Sequence, residues 1–105
     1  MNRAKSTRQE SESNELLLLV VGEVLAKRRL LANMSQRELA EQARVNRTYV
    51  SDIERGLGNV TIVLLDRICN ALGCSPKVLL DEVYTLYNTQ LRKLTRKSKA
   101  NSRSR

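Results

Sequence analysis

Between residues 35 and 72, apolar positions recur at three- and four-residue spacing in three short runs. Each run is opened by a small polar residue. Leu39, Ala40 and Ala43 follow Ser35. Val50 and Ile53 follow Asn46. Ile62, Leu64, Leu65, Ile68, Cys69 and Leu72 follow Thr61. This is the rhythm of helices that bury one face. Ser35, Asn46 and Thr61 are natural N-caps, because a side-chain oxygen can accept a bond from an orphan amide of the first turn. Glu38, three residues after Ser35, completes a capping box. The first of these helices is expected to end near Arg44 and the second to run from Arg47 to Arg55. Gly56 then supplies a left-handed C′ position, and Gly73 closes the third helix.

Upstream, Glu15 to Ala32 reads as a longer helix, with Asn14 as its cap. Leu17, Val20, Val21, Val24, Leu25 and Leu31 form its apolar face, and the stem of Arg28 fills a gap in the rhythm. Gly22 within it costs about 1 kcal/mol in helix propensity, which close packing can offset. Downstream, Ser75-Pro76 is a clean start, with Ser as N-cap and Pro at the first helical position. From there no Gly or Pro intervenes, and Leu80, Tyr84, Tyr87, Leu91 and Leu94 are spaced in a heptad rhythm. The fifth helix is therefore expected to run on to roughly Thr95. Its stripe must be buried, against a second copy or back on the domain's own core. The expectation is a homodimer in which the fourth helix shares the interface.

Charge adds a division along the chain. The net charge is +8 over 105 residues. Residues 1–15 are neutral on balance, residues 16–91 carry one excess positive charge, and residues 92–105 hold seven Lys or Arg and no acid. Residues 1–14 are polar and read as a disordered arm, either a floppy tail or a DNA-tracking segment using Arg3, Lys5 and Arg8. Residues 96–105 read as a disordered basic tail. The organisation expected is thus an arm (1–14), a folded domain (15–82), an extension of the last helix for dimerisation (83–95) and the tail. Leu16 to Val21 is too short an apolar run to span a bilayer, and acidic residues precede it, so no membrane partner or signal sequence is expected.

The two helices from Ser35 to Gly56, with the small Ala40 between them and a turn of a few residues, make a helix-turn-helix. Its second helix presents Arg47, Thr48, Ser51 and Asp52 on the face opposite Val50 and Ile53, free to enter a DNA major groove. The pattern S-Q-x-x-L-A-x-x-A-x-V-x-x-x-Y-[VI]-S-x-[IL]-E-R-G resembles the Cro/CI-type (XRE) helix-turn-helix regulators, and the likeness runs from about Val21 to Leu80. The segment NRTYVSDIERGLGNVTIVLLDRI resembles in particular the controller proteins of restriction–modification systems.

The resemblance implies an all-α, lambda-repressor-like domain of five helices, here with an extended last helix. It implies double-stranded DNA as partner, a palindromic operator and a cytoplasmic, nucleoid-associated regulator of bacterial or phage origin. Arg47, Thr48 and Ser51 are the residues expected to reach base edges. Ser35, Gln36, Arg37, Asn46 and Tyr49 are expected at phosphates or flanking bases. In family register Arg29 pairs with Glu54 and ties the first helix to the recognition helix. Asp52 either accepts from a base or pairs locally. Arg44, like Arg37, is a phosphate contact or a surface charge.

Other chemistries find little footing. There is no histidine, and Cys69 and Cys74 alone make no metal set. They read as a reduced cytosolic thiol pair. No nucleophile–base pair can be assembled. Neither an enzyme nor a metal, cofactor or small-molecule ligand is therefore expected. Two alternatives to a sequence-specific regulator stay open. One is an antitoxin-like module that uses the stripe for a different protein. The other is a non-specific nucleic-acid binder driven by the tail.

Overall fold

The computed structural model describes the backbone of residues 7–103 and the side chains of residues 7–97. The expectations for Arg3 and Lys5, and for the side chains of the last eight residues, lie outside the described residues. Within them the chain forms five helices and no strand: α1 (Arg8–Leu31), α2 (Gln36–Ala43), α3 (Arg47–Glu54), α4 (Ile62–Leu72) and α5 (Pro76–Arg103). The domain is all-α, as expected.

The cap residues act as their chemistry dictates. The Ser35 hydroxyl accepts from the Glu38 amide and the Glu38 carboxylate accepts from the Ser35 amide, both at 3.0 Å. Asn46 accepts from the Thr48 amide at 2.7 Å, Thr61 from Leu64 at 3.2 Å, and Ser75 from Val78 at 3.1 Å. Gly56 lies at φ 75° and Gly73 at φ 74°, the left-handed conformation that lets the chain leave a helix while its last carbonyls stay bonded. Arg44 takes the same role after α2 at φ 56° without being glycine.

One buried cluster joins all five helices. Val20, Val24 and Leu25 of α1 meet Leu39, Ala40 and Ala43 of α2, Val50 and Ile53 of α3, Leu65, Ile68 and Cys69 of α4, and Leu79 and Val83 of α5. The closest approach is between α1 and the end of α3. A Cβ built on Gly22 would stand 2.4 Å from the Ile53 carbonyl oxygen and 2.6 Å from that of Glu54. Both are backbone atoms fixed in α3, so only glycine fits.

Several boundaries and faces differ from the sequence reading. α1 begins at Arg8, not Glu15. Thr7 caps it by accepting from Glu10, and Arg8 pairs with Glu12 one turn on. A polar segment that cannot nucleate alone can extend a helix already docked, because propagation adds a bond per residue without a new nucleus. The same holds for α5, which continues past Thr95 to Arg103 through residues of good helix propensity. Leu31 is 74% exposed and Ile62 78% exposed. Each sits in the terminal turn of its helix, where no element covers it.

α5 carries two adjacent apolar faces, and the heptad stripe is not the one that forms the core. Leu79 and Val83 are fully buried, whereas Tyr84 and Leu94 are each 46% exposed. Leu80, Tyr87 and Leu91 are half-buried between them. The Tyr84 and Tyr87 rings meet edge-to-face with centroids 5.8 Å apart. Arg28 does more than fill a gap: its Nε donates to Glu82 at 2.8 Å, pinning α1 to α5.

Gly22→Ala is expected to destabilise the domain by about 1–3 kcal/mol by forcing α1 and α3 apart, despite alanine's better helix propensity. Urea unfolding of the two proteins checks this, and equal or greater stability would mean the crossing yields without strain.

Candidate nucleic-acid interface

α3 is held by its buried side and its end, which leaves its polar face outward. Val50 and Ile53 are each 2% exposed beneath it. Arg47 and Thr48 are exposed, and Ser51 and Asp52 are half-buried at its flank. At about 100° per residue these four share one side of the helix. Arg55 shares it too, a position the sequence reading passed over although it lies one turn beyond Ser51. Asp52 accepts from Arg55 at 2.8 Å, so its carboxylate is paired locally. Arg47 is left as the face's cation with no acidic partner among the described residues.

The orientation of α3 depends on a buried charge cluster. Arg29 donates from Nε and Nη2 to the two carboxylate oxygens of Glu54 at 2.6 and 3.0 Å. Its third nitrogen donates to the Met34 carbonyl at 2.7 Å. The side chains are only 11% and 7% exposed. The hydrogen bonds from Arg29 to Glu54 raise its pKa further, against the opposing effect of burial. Gln36 adds a third segment, its amide donating to Glu54 Oε1 at 2.9 Å. One carboxylate thus ties α1, the start of α2 and the end of α3.

Two residues expected at DNA are committed inward. The Gln36 amide nitrogen is on Glu54, as above. The Tyr49 hydroxyl donates to the Asn59 carbonyl at 3.1 Å and so braces the loop after α3. Burial pushes its pKa up, partly offset by a backbone bond from Thr61. Ser35 and Asn46 are exposed and engaged as caps. Arg37 and Arg44 are exposed, flanking the N-terminus of α2 and the turn before α3. Cys69 is fully buried and its thiol is pushed up to about 12, chiefly by burial. It packs as an apolar side chain rather than a nucleophile.

The arrangement can present a short polar helix to a groove while the N-terminus of a second helix faces the flanking strand. Comparison with known proteins agrees with this geometry. The helix-turn-helix family model HTH_3 matches residues 25–79, just over half of the chain. The control protein C.BamHI of Bacillus amyloliquefaciens is 45% identical over 69 residues, which span 66% of this chain and 85% of that protein. The crystal structure of the clp gene regulator ClgR from Corynebacterium glutamicum superposes with a TM-score of 0.71 at 31% identity, covering 85% of this chain and 96% of that one. The restriction–modification controller protein C.Esp1396I, solved as a tetramer in complex with its natural 35-base-pair operator, superposes with a TM-score of 0.62 at 37% identity over 68% of this chain and 93% of that one.

Arg29→Ala leaves the Glu54 carboxylate buried with a single amide donor and is expected to cost about 3–5 kcal/mol of stability. Arg29→Lys is expected to recover little of it, since an ammonium cannot reproduce the fork. Chemical denaturation measures both, and a loss below about 1 kcal/mol for Arg29→Ala would show that the cluster is no tie. The capping box gives a pH test. Glu38 is held below its ordinary value of 4.5, first by the backbone hydrogen bond from Ser35. Its ionic contribution is therefore complete above that value and lost as pH falls through the lower folded value. The stability gap between the wild type and Glu38→Gln is expected to shrink over that acid range and to stay level at higher pH.

Proposed function

The chain belongs to the helix-turn-helix family, and on that footing we propose that it regulates transcription as a homodimer bound to a palindromic DNA operator, in the manner of restriction–modification controller proteins. The observation that carries this reading is the outward polar face of α3, braced through Glu54 against two other segments. A rigid, pre-oriented helix loses little entropy on entering the groove.

In this reading Arg47 donates two bonds to guanine O6 and N7. Thr48 offers its methyl to thymine or its hydroxyl to a base edge, and Ser51 reaches the next base pair from one turn on. Ser35, Arg37, Asn46 and the amides at the two helix N-termini hold phosphates and set the register. Gln36 and Tyr49 serve this surface chiefly from behind, by fixing α3 and the loop after it. Their remaining polar atoms flank the duplex.

The homodimer forms through the stripe of Leu80, Tyr84, Tyr87, Leu91 and Leu94. The half-exposure of Tyr84 and Leu94 in the isolated chain supports this use. A two-fold dimer places two copies of α3 in successive major grooves, which sets half-sites roughly 10 bp apart. The sign of regulation then follows from where the operator lies relative to the promoter. C.Esp1396I occupies its operator as a tetramer, which suggests paired operators for this chain as well.

Selection from a random duplex library at about 0.15 M salt, where long-range attraction is largely screened, is expected to enrich a palindrome. Failure to enrich any sequence would overturn the proposal. Arg47→Ala is expected to cost about 1–3 kcal/mol of binding and to relax preference at one base pair of each half-site. Leu91→Asp is expected to sediment as a monomer, and an unchanged dimer would remove α5 from the interface.

A further inference from the structure

The C-terminal part of α5 lies beyond the matched family domain, which ends at residue 79. From residue 83 onward the sequence has no acidic residue, while Arg92, Lys93, Arg96 and Lys97 follow one another at helical spacing. All four are exposed, on a helix that continues to Arg103. No carboxylate among the described residues pairs with them. At about 100° per residue they occupy roughly 140° of the helix circumference, and the centre of that arc lies about 170° from the stripe of Leu80, Tyr84, Tyr87, Leu91 and Leu94. A dimer built on the stripe therefore turns this basic face outward on both protomers.

The rest of the molecule lacks such a feature. Residues 16–91 carry a single excess positive charge. On α3 the pairing of Arg55 with Asp52 leaves Arg47 as the net cation of that face. Counterion release on binding a polyanion scales with the number of phosphates neutralised, and the domain alone offers few cations for it. We infer that Arg92, Lys93, Arg96 and Lys97 form a second, sequence-independent grip on the phosphate backbone of double-stranded DNA, separate from the bases read by α3. This rests on the DNA-binding reading above. A membrane surface is the less favoured partner for a basic helix. Past residue 90 the stripe holds only Leu91 and Leu94, the chain has no Trp or Phe, and Leu80 and Tyr87 are packed on the domain's own core.

The test compares the full-length protein with the variant carrying Arg92→Gln, Lys93→Gln, Arg96→Gln and Lys97→Gln, and with Arg47→Ala. Each is titrated with the selected operator and with a scrambled duplex of equal length, between about 0.05 and 0.2 M salt. The four-residue variant is expected to lose affinity for both duplexes by the same factor, at least tenfold at low salt. The slope of log K against log salt should fall by about 3–4, near 0.9 per lost phosphate contact. Its helicity and sedimentation should match the wild type. Arg47→Ala should instead lose discrimination and keep the slope almost unchanged.

Unchanged binding and slope in the four-residue variant would overturn the inference, as would a loss confined to the operator. So would a variant that keeps its DNA affinity but no longer sediments with vesicles of equimolar phosphatidylserine and phosphatidylcholine that the wild type binds. A wild type that prefers no duplex, with the slope still falling in the variant, would sink the operator reading and leave the phosphate grip standing.

Discussion

The recognition helix depends on the buried pairing of Arg29 with Glu54. α3 has only eight residues, too few to be stable by itself in water. Its direction must be imposed by neighbours. Val50 and Ile53 supply affinity for the core, but apolar contacts alone tolerate sliding and rotation. A planar guanidinium bonded to both oxygens of one carboxylate does not. Because Arg29 also holds the Met34 carbonyl and Gln36 also holds Glu54, the position of α3 is set relative to α1 and α2 together. Separating the pair would strand charge in a site where water reaches about a tenth of each side chain.

Two further constraints act at the same crossing. Gly22 lets α1 rest on the last carbonyls of α3, and the glycine at residue 56 turns the chain away beside Leu19. The long α1 is thus the spine of the domain. α3 lies against one side through Gly22 and Arg29, and α5 against another through Arg28 and Glu82. Groups that a DNA-binding reading assigns to the duplex, the Gln36 amide and the Tyr49 hydroxyl, belong to this framework. Their contribution to recognition is to keep Arg47, Thr48 and Ser51 from moving.

α5 divides its circumference among three tasks. Leu79 and Val83 close the core, the adjacent stripe from Leu80 to Leu94 stays partly exposed, and the basic residues of the distal turns face away from the stripe. A helix that served only to close the domain would have no reason to continue after its buried face ends. Here the domain, the self-association face and the charged face follow one another along one continuous rod.

Local features were legible from the chain itself. The capping residues, the helix-turn-helix with its small Ala40 and the outward set of Arg47, Thr48 and Ser51 follow from short-range stereochemistry and periodicity, which depend on neighbours within a turn or two. The pairing of Arg29 with Glu54 was readable only through likeness to a family, because nothing local links residues 25 positions apart. The tertiary structure alone decided which of two apolar faces of α5 meets the core. Leu79 and Val83 are buried because α1 and α4 lie on that side, and a heptad rhythm cannot report what lies beside it. It also decided that α1 starts at Arg8 and that α5 runs to Arg103, since a docked helix propagates through polar residues that composition alone assigns to disorder. Gln36 and Tyr49 look like surface polar groups in sequence. Only the packed neighbours, Glu54 and the Asn59 carbonyl, turn them inward.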